Sequence, residues 1–338
     1  MAQPAPVPHL IEPEEGVSQV TDDITCLSLP IPFDVGTVNC YLLLGDPLTL
    51  VDTGSRIGYD INDLAEATRR AGVELDQLEL LILTHRHVDH FGLAAEVHER
   101  SGCQVVASVV DGPFMAKWEG MVIGSREQLR RQGRSFGIPE ELFSTNERWV
   151  RAITAAARAV DSDRLVRDAD VVRAGGRDWR VIECPGHTEG LVTFFHEESG
   201  VLLANDHVLR HITPNPDVYN YDPDHLHSGL PDYIASLKKV RDLPASLVLP
   251  GHGYEMTDLK GRVADILRHH DIRAQKVHDI VRAEPNTVFG IAEQVWPSLR
   301  PQDSHLAVRE IIGHLVLLLQ DGRVDQRWEG DVLLFSAT

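Results

Sequence analysis

Thr84-His85-Arg86-His87-Val88-Asp89-His90-Phe91-Gly92 places three imidazoles and a carboxylate within six positions. The apolar segment Leu78–Leu83 runs straight into it. The pattern reads as a buried strand that stops at a cluster of metal-ligand side chains. Neutral imidazole and carboxylate are the donors that Zn²⁺ and related divalent ions take. A polar helix start could also follow a strand, but alternating His-x-His has no packing reason to do so.

Further ligands stand at the ends of other strand-like segments. His187 lies in Cys184-Pro185-Gly186-His187-Thr188, after Trp179–Glu183. Asp206 follows Val201–Asn205, and His252 follows Leu247–Leu249 between two glycines that allow close backbone approach. A lone histidine after a strand is usually a satisfied core or surface residue. Strand ends that each finish on His or Asp, gathered on one sheet edge, are where α/β folds build sites. The set divides into His85, His87 and His187 for one ion and Asp89, His90 and His252 for another, with Asp206 able to bridge. Two-metal hydrolytic sites are made this way. Asp52, ending the strand Leu48–Asp52, is expected to orient a ligand histidine, or else to be a plain turn aspartate.

The surrounding pattern alternates strand and helix. Strands are expected at Ile24–Leu29, Cys40–Leu44, Leu48–Asp52, Leu78–Leu83 and Gln104–Ala107, and helices over about Tyr59–Ala71 and from about Asp89 through His98. This predicts an α/β layered fold. Residues 1–19 read as an extended arm. Residues 111–165 break the rhythm with Phe114, Met115, Trp118, Met121, Phe136, Phe143 and Trp149 among many charges, and a helix is expected over Trp149–Val160. This insertion is either a lid lining a substrate pocket or a plain cover for the sheet. Strands resume at Val171, Trp179–Glu183, Leu191–His196 and Val201–Asn205, and a helix is expected over Tyr233–Arg241. From 258 to 338 three helices (Asp258–Ala283, Thr287–Val295, Ser304–Gln320) precede a hairpin from Gly322-Arg323-Val324 to Val332–Phe335, a winged-helix pattern.

These motifs resemble the metallo-β-lactamase superfamily. Its five signature elements match Asp52, His85-x-His87-x-Asp89-His90, His187, Asp206 and His252, in order, over about residues 20–257. The resemblance implies an αββα sandwich of four layers and a dinuclear zinc centre; iron or manganese suits the same donors. It implies that a water held by the two ions attacks the substrate. The tail is similar to the winged-helix appendix of the lactamase-β-2-like hydrolases. Asp206 stands where true lactamases of the family lack an aspartate. His87 and the lack of a flavodoxin-like segment speak against the oxygen-reducing branch. The mononuclear-iron persulfide dioxygenases are a further branch. An acyl ester or thioester is the expected substrate, as in glyoxalase-II-like or lactonase enzymes. An endoribonuclease and a non-catalytic acyl-ligand sensor are the alternatives.

Composition weighs on these choices. The 338 residues carry a formal charge of −19, which repels nucleic acid and anionic membranes. Residues 258–338 hold 10 Lys/Arg against 12 Asp/Glu, so the tail has no basic footprint for phosphate contacts. The tail is expected to pack on the main domain, complete a pocket wall or make a homodimer. Cys26, Cys40, Cys103 and Cys184 form no C-x-x-C pair, and the N-terminal stretch is no signal peptide, which fits a cytoplasmic protein. No apolar run is long enough to span a bilayer. His207, beside Asp206, is a further catalytic candidate, as are the phenols Tyr219 and Tyr221. His211, His225 and His227 read as loop residues. His269, His270 and His278, on the long helix, are not expected to be ligands.

Overall fold

Both faces of the central strands are apolar, so each sheet needs cover on two sides. The computed structural model describes residues 16–32 and 35–338, with the backbone alone for Arg126, Leu129 and residues 143–149. Residues 1–15 of the expected arm, and the Phe143 and Trp149 side chains, lie outside the described residues. The first sheet holds β1 (Gly16–Thr21), β2 (Ile24–Pro30), β3 (Thr37–Leu43), β4 (Thr49–Val51), β5 (Leu80–Ile82), β6 (Gln104–Ser108) and β7 (Arg164–Val166), in that order. Pairing is antiparallel from β1 to β4 and parallel from β4 to β7. Residues 16–19 of the expected arm are thus part of a strand. Val17 packs on the core, which gives the chain an apolar reason to pair there.

Side chains alternate across this sheet with the two-residue period of a strand. Leu27, Cys40, Leu42, Leu81 and Val105 face a layer of helices. These are α1 (Ile61–Arg70), α2 (Val88–Phe91) and α3 (Ala94–Ser101). Asp60 caps α1 by accepting from the amides of Asn62 and Asp63. Ile24, Tyr41, Leu43, Leu80, Ile82 and Val106 face the other way, into a core shared with a second sheet.

Between β6 and β7 lie α4 (Asp111–Met115), α5 (Trp118–Gln132) and α6 (Glu140–Ala155). The last helix starts and ends earlier than Trp149–Val160. Ala155-Ala156-Ala157 favours helix locally, but the Ala156 carbonyl accepts from the Arg56 amide (3.3 Å), and a Cβ on Gly92 would lie 2.8 Å from that oxygen. The chain there is committed to a close tertiary contact. The helix expected from Asp89 is also divided. The His90 carbonyl accepts from Thr53 N (2.6 Å), and Leu93 N donates to Thr53 Oγ1 (3.1 Å), so the bonds that would join α2 to α3 go elsewhere.

The second sheet is built from β8 (Val171–Ala174), β9 (Arg177–Glu183), β10 (Val192–His196) and β11 (Val201–Asn205). After the short pair β12 (Val218–Asn220) and β13 (His227–Ser228) come α7 (Leu230–Val240) and β14 (Leu247–Pro250). The order is β14-β11-β10-β9-β8, with β14 parallel to β11 and the rest antiparallel. Trp179, Val181, Phe194 and Leu203 fill the inter-sheet core, while Ile182, Phe195, Leu202 and Val248 face α7. The result is the four-layer αββα sandwich.

The chain ends with α8 (Leu259–Ala283), α9 (Val288–Val295), α10 (Ser304–Gln320) and the hairpin β15 (Val324–Glu329) with β16 (Val332–Ala337). These elements share an apolar core that also takes in Phe136 and Ile138 of the insertion and Val218 and Tyr221. Helix α10 is buried along most of its length, and Gly313 lets it pass close over Leu230 and Ser228 (a Cβ there would lie 3.0 Å from Leu230 Cβ). That leaves α10 no broad free face to enter a nucleic-acid groove.

Candidate metal centre

Four strand ends and the α2 turn deliver the seven candidate ligand side chains to one place, and a fifth strand end brings Asp52 beside them. Both carboxylate-bearing strand ends turn sharply: Asp52 (φ 60°) and Asn205 (φ 46°) take the left-handed conformation that L-residues adopt at a cost. The turns aim Asp52 and Asp206 back across the sheet edge. Gly251 is required for a different reason: a Cβ there would overlap Asp206 Oδ1 and lie 2.8 Å from His90 Cε1.

Four of the five imidazoles, those of His85, His90, His187 and His252, are fixed through one nitrogen. Asp52, fully buried, accepts from the Thr84 amide (2.9 Å), the Thr84 hydroxyl (2.8 Å) and His90 Nδ1 (2.8 Å). Because the Thr84 hydroxyl donates to Asp52, it can accept only from His85 Nδ1, at 3.1 Å. His187 Nδ1 donates to the Asn215 carbonyl (3.0 Å) and His252 Nδ1 to the Thr37 carbonyl (2.7 Å). The free lone pair of each of these rings is therefore on Nε2. Asp52 thus orients His90 directly and His85 through Thr84.

The free atoms converge. His187 Nε2 and His252 Nε2 lie 3.3 Å from Asp206 Oδ2, and His90 Nε2 lies 3.4 Å from Asp206 Oδ1. Asp89 Oδ2 is 3.4 Å from His252 Nε2, and His87 Nδ1 is 2.8 Å from His187 Nε2. Tetrahedral zinc with donors at roughly 2.0–2.1 Å has ligand–ligand edges of about 3.3–3.4 Å. Buried His85 Nε2, His90 Nε2 and Asp206 Oδ1 have no hydrogen-bond partner among the described residues. Three overlapping groups fit an ion: His85–His87–His187, His85–His90–Asp206 and Asp89–His90–His252. The chain therefore carries His/Asp clusters suited to metal ions, and Asp206 stands between the two outer groups.

The electrostatics agree. Burial opposes charge on His90, yet Asp206, Asp52 and Asp89 hold its pKa well above the usual range. Burial likewise opposes charge on His252, but chiefly Asp206 lifts it to about 10. Burial and the neighbouring imidazoles push His85 well down. The carboxylates demand positive charge, which a cation can supply in place of protons. This predicts how metal-stripped protein responds to pH. His252 gains a proton-stabilising partner on folding, so its contribution is complete below about pH 6.5. It is lost as pH rises from about 6.5 to 10. The urea midpoint of chelator-treated protein should fall across that window, and His252→Gln should flatten the fall; an unchanged slope in the variant would refute the assignment.

One anchoring residue has no motif to mark it. Asp111, at the start of α4, accepts from the Arg86 amide (3.0 Å), Arg86 Nη1 (2.5 Å) and the Thr188 hydroxyl (2.6 Å). It thereby ties the segment between His85 and His87 to the residue after His187. Arg86 also donates to Asp217 (2.5 Å), which accepts from Arg309 of α10 (2.7 Å). Asp111 is buried and Arg86, Asp217 and Arg309 are half-buried, and the Arg86 guanidinium lies over the Phe114 ring at 4.6 Å.

Not every candidate reaches the cluster. The His207 ring is buried edge-on to Tyr233, with centroids 5.4 Å apart, and burial pushes its pKa to about 3. It belongs to none of the ligand groups. Its carbonyl accepts from the Tyr233 hydroxyl (2.9 Å), so residue 207 serves through its backbone. Tyr219 and Tyr221 line a cavity of about 1040 Å³ that reaches His87 and Arg86. Phe114, Trp118 and Met121 of the insertion line it too, with Val150 and Ile153. The insertion both packs into cores and lines the cavity: Met115 belongs to the sheet core, Phe136 to the C-terminal core, and Trp118 to both a core and the cavity wall.

Comparison with known proteins follows the same line. The model of the metallo-beta-lactamase superfamily matches residues 33–252. A probable metallo-hydrolase of Bacillus subtilis, YqjP, is 28% identical over 94% of this chain and 98% of its own. A beta-lactamase-like protein 2 homolog of Caenorhabditis elegans is 23% identical over 87% of this chain and 82% of its own. Hydroxyacylglutathione hydrolase GloC of Haemophilus influenzae is 25% identical over 52% of this chain and 69% of its own. The metallo-beta-lactamase family protein TTHA1429 of Thermus thermophilus superposes with a TM-score of 0.81 at 26% identity, over 95% of this chain and all of that one. The chain belongs to the metallo-β-lactamase superfamily and is a metal-dependent hydrolase.

Proposed function

We propose that the centre holds two zinc ions, with His85, His87 and His187 on one, Asp89, His90 and His252 on the other and Asp206 between them. The substrate we assign is an acyl ester or thioester, and residues 258–338 act as an appended winged-helix-like unit. The observation that carries the substrate class is the cavity: a half-open cleft at the ligand residue His87, in which Phe114, Trp118, Met121, Val150 and Ile153 offer apolar wall to an acyl chain beside the charged Arg86, Arg130, Arg131, Arg134 and Arg309. The name of the relative GloC, a thioester hydrolase, supports the same class. Such ions supply Lewis acidity toward an acyl oxygen and a water of lowered pKa. The chain's own residues do the rest. Asp89 is the most open of the three carboxylates, with its side chain 15% exposed against 5% for Asp206 and 0% for Asp52, which suits it to hold an attacking water. Phe114 and Trp118 keep bulk water from the acyl chain, and Arg86 with Asp111 fixes the ligand loop. Water adds to the acyl carbon, the C–S or C–O bond breaks, and the thiol or alcohol leaves with the proton.

The test is a panel of a medium-chain thioester, a lactone, a phosphodiester and single-stranded RNA on metal-analysed protein. The acyl substrates should exceed the phosphodiester in kcat/KM by about 10²-fold or more, a difference of roughly 2.7 kcal/mol. Cleavage of RNA alone would overturn the acyl reading and leave the metal assignment standing.

A further inference from the structure

A second group of metal-ligand side chains lies away from the sheet edge, between α8 and α10. His270 and His314 are fully buried and Glu310 nearly so. They stand on the side of α8 and α10 that packs toward the main domain, and the His270 ring lies edge-on to Tyr233 of α7 at 5.7 Å. The neighbours in both helices include the apolar Ile266, Ala274, Val277, Ile311 and Leu315, with His269 (ring centroids 5.4 Å from His270) and Arg273 as polar neighbours. A polar trio in such surroundings should be fully hydrogen-bonded. It is not.

His314 Nδ1 donates to the Glu310 carbonyl at 2.8 Å, so the His314 lone pair is on Nε2. His270 Nδ1 stands 3.4 Å from that Nε2, long for a hydrogen bond, and His270 Nε2 has no partner among the described residues. Either tautomer of His270 leaves an unmet atom. With the proton on Nδ1, one weak bond forms and Nε2 stays bare. With it on Nε2, a buried donor is orphaned and two lone pairs face each other. The separation of 3.4 Å matches the edge of about 3.3–3.4 Å between two nitrogens on tetrahedral zinc. The Glu310 carboxylate lies 3.8 Å from His314 Nδ1, and the three residues each offer a donor atom, all within 4.8 Å of one another.

We propose that His270, Glu310 and His314 form a separate, mononuclear site for a divalent transition metal, zinc by its donor set, that fastens α8 to α10. The ion takes the facing lone pairs of the two imidazoles and the otherwise unpaired carboxylate. Burial keeps both rings neutral, the ligating form, with His270 pushed to about 2 and His314 to about 3. The nearby Arg273, stacked over Trp296 at 4.5 Å, adds a positive charge that makes this the weaker of the chain's metal sites. The site does not depend on the substrate assigned above. It departs from the expectation that His270 is not a ligand.

Crystals of the full chain grown with zinc chloride test it directly. Anomalous difference maps across the zinc edge should show a peak bonded to His270 Nδ1 and His314 Nε2. Peaks at the main centre with none here overturn the proposal. In solution, wild-type protein equilibrated with zinc and desalted should carry about one zinc per chain more than Glu310→Gln or His270→Gln. The variants should keep the wild-type kcat on the acyl substrate, which also reports that they fold. Equal zinc counts in wild type and in active variants overturn it as well.

Discussion

Asp206→Ala should lower kcat/KM on the preferred acyl substrate by about 10³-fold and leave the chain with roughly one tightly held zinc instead of two. Asp206 is the side chain whose two oxygens meet three ligand imidazoles, at 3.3 Å to His187 and His252 and 3.4 Å to His90. Among the described residues no other carboxylate spans both outer ligand groups. In the proposed centre, losing it would separate the two ions that act on one acyl group, and Lewis-acid stabilisation of that kind is worth several kcal/mol, or about three decades in rate. The fold should survive. The Asp206 contacts are with the ligand histidines, and the Ala variant leaves the Gly251 approach and the Tyr233 bond to the residue 207 carbonyl intact. Metal analysis beside steady-state kinetics checks both halves. Two ions per chain with undiminished turnover would show that the bridge lies elsewhere. Asp206→Asn separates charge from shape: it should resemble Ala in metal content if the negative charge is what holds the second ion.

The ligand set was legible because the chemistry repeats a simple grammar. A buried strand ends, a turn follows, and a His or Asp stands at the turn; the same sentence recurs at Asp52, His85, His187, Asp206 and His252. The layers were legible too, since strands apolar on both faces require cover on both. What could not be read from sequence depends on contacts distant in the chain. The division of α2 from α3 follows from Thr53, some forty residues away, capturing the His90 carbonyl. The true end of α6 follows from Arg56 and Gly92 meeting Ala156. The strand at Gly16–Thr21 has little apolar character and exists because β2 offers it an edge. His207 stood beside a ligand in sequence, yet both lie in the turn after β11, which sends Asp206 to the cluster and the His207 ring to Tyr233. Asp111 sat inside an insertion with no ligand motif near it, so no spacing rule could connect it to Arg86 or Thr188.

That hidden aspartate carries the second large effect. Asp111→Ala should destabilise the protein by about 3–5 kcal/mol and reduce kcat by about 10²-fold, although residue 111 touches no metal ligand side chain. Asp111 is 1% exposed and takes three donors: the Arg86 amide, the Arg86 guanidinium and the Thr188 hydroxyl. Removing one partner of a buried ion pair leaves the other charge uncompensated, a cost of roughly 3–5 kcal/mol. Asp217 still faces Arg86, but it already shares its charge with Arg309, so it cannot replace Asp111. The catalytic loss has a separate origin. With the Arg86 amide and Thr188 released, the backbone that aims His87 and His187 is free to shift, and a displacement near 1 Å costs about 10²-fold in rate. Asp111→Asn distinguishes the two effects, because it keeps an acceptor for the Arg86 amide while losing the charge. It should recover much of kcat and little of the stability. Arg309→Met tests the far end of the same chain of charges: it frees Asp217 to pair fully with Arg86, so kcat should fall less than in Asp111→Ala. If Asp111→Ala kept wild-type kcat at a temperature where it is folded, the ligand loops would be held by the sheet edge alone and the network would be no more than a structural clasp between the insertion and α10.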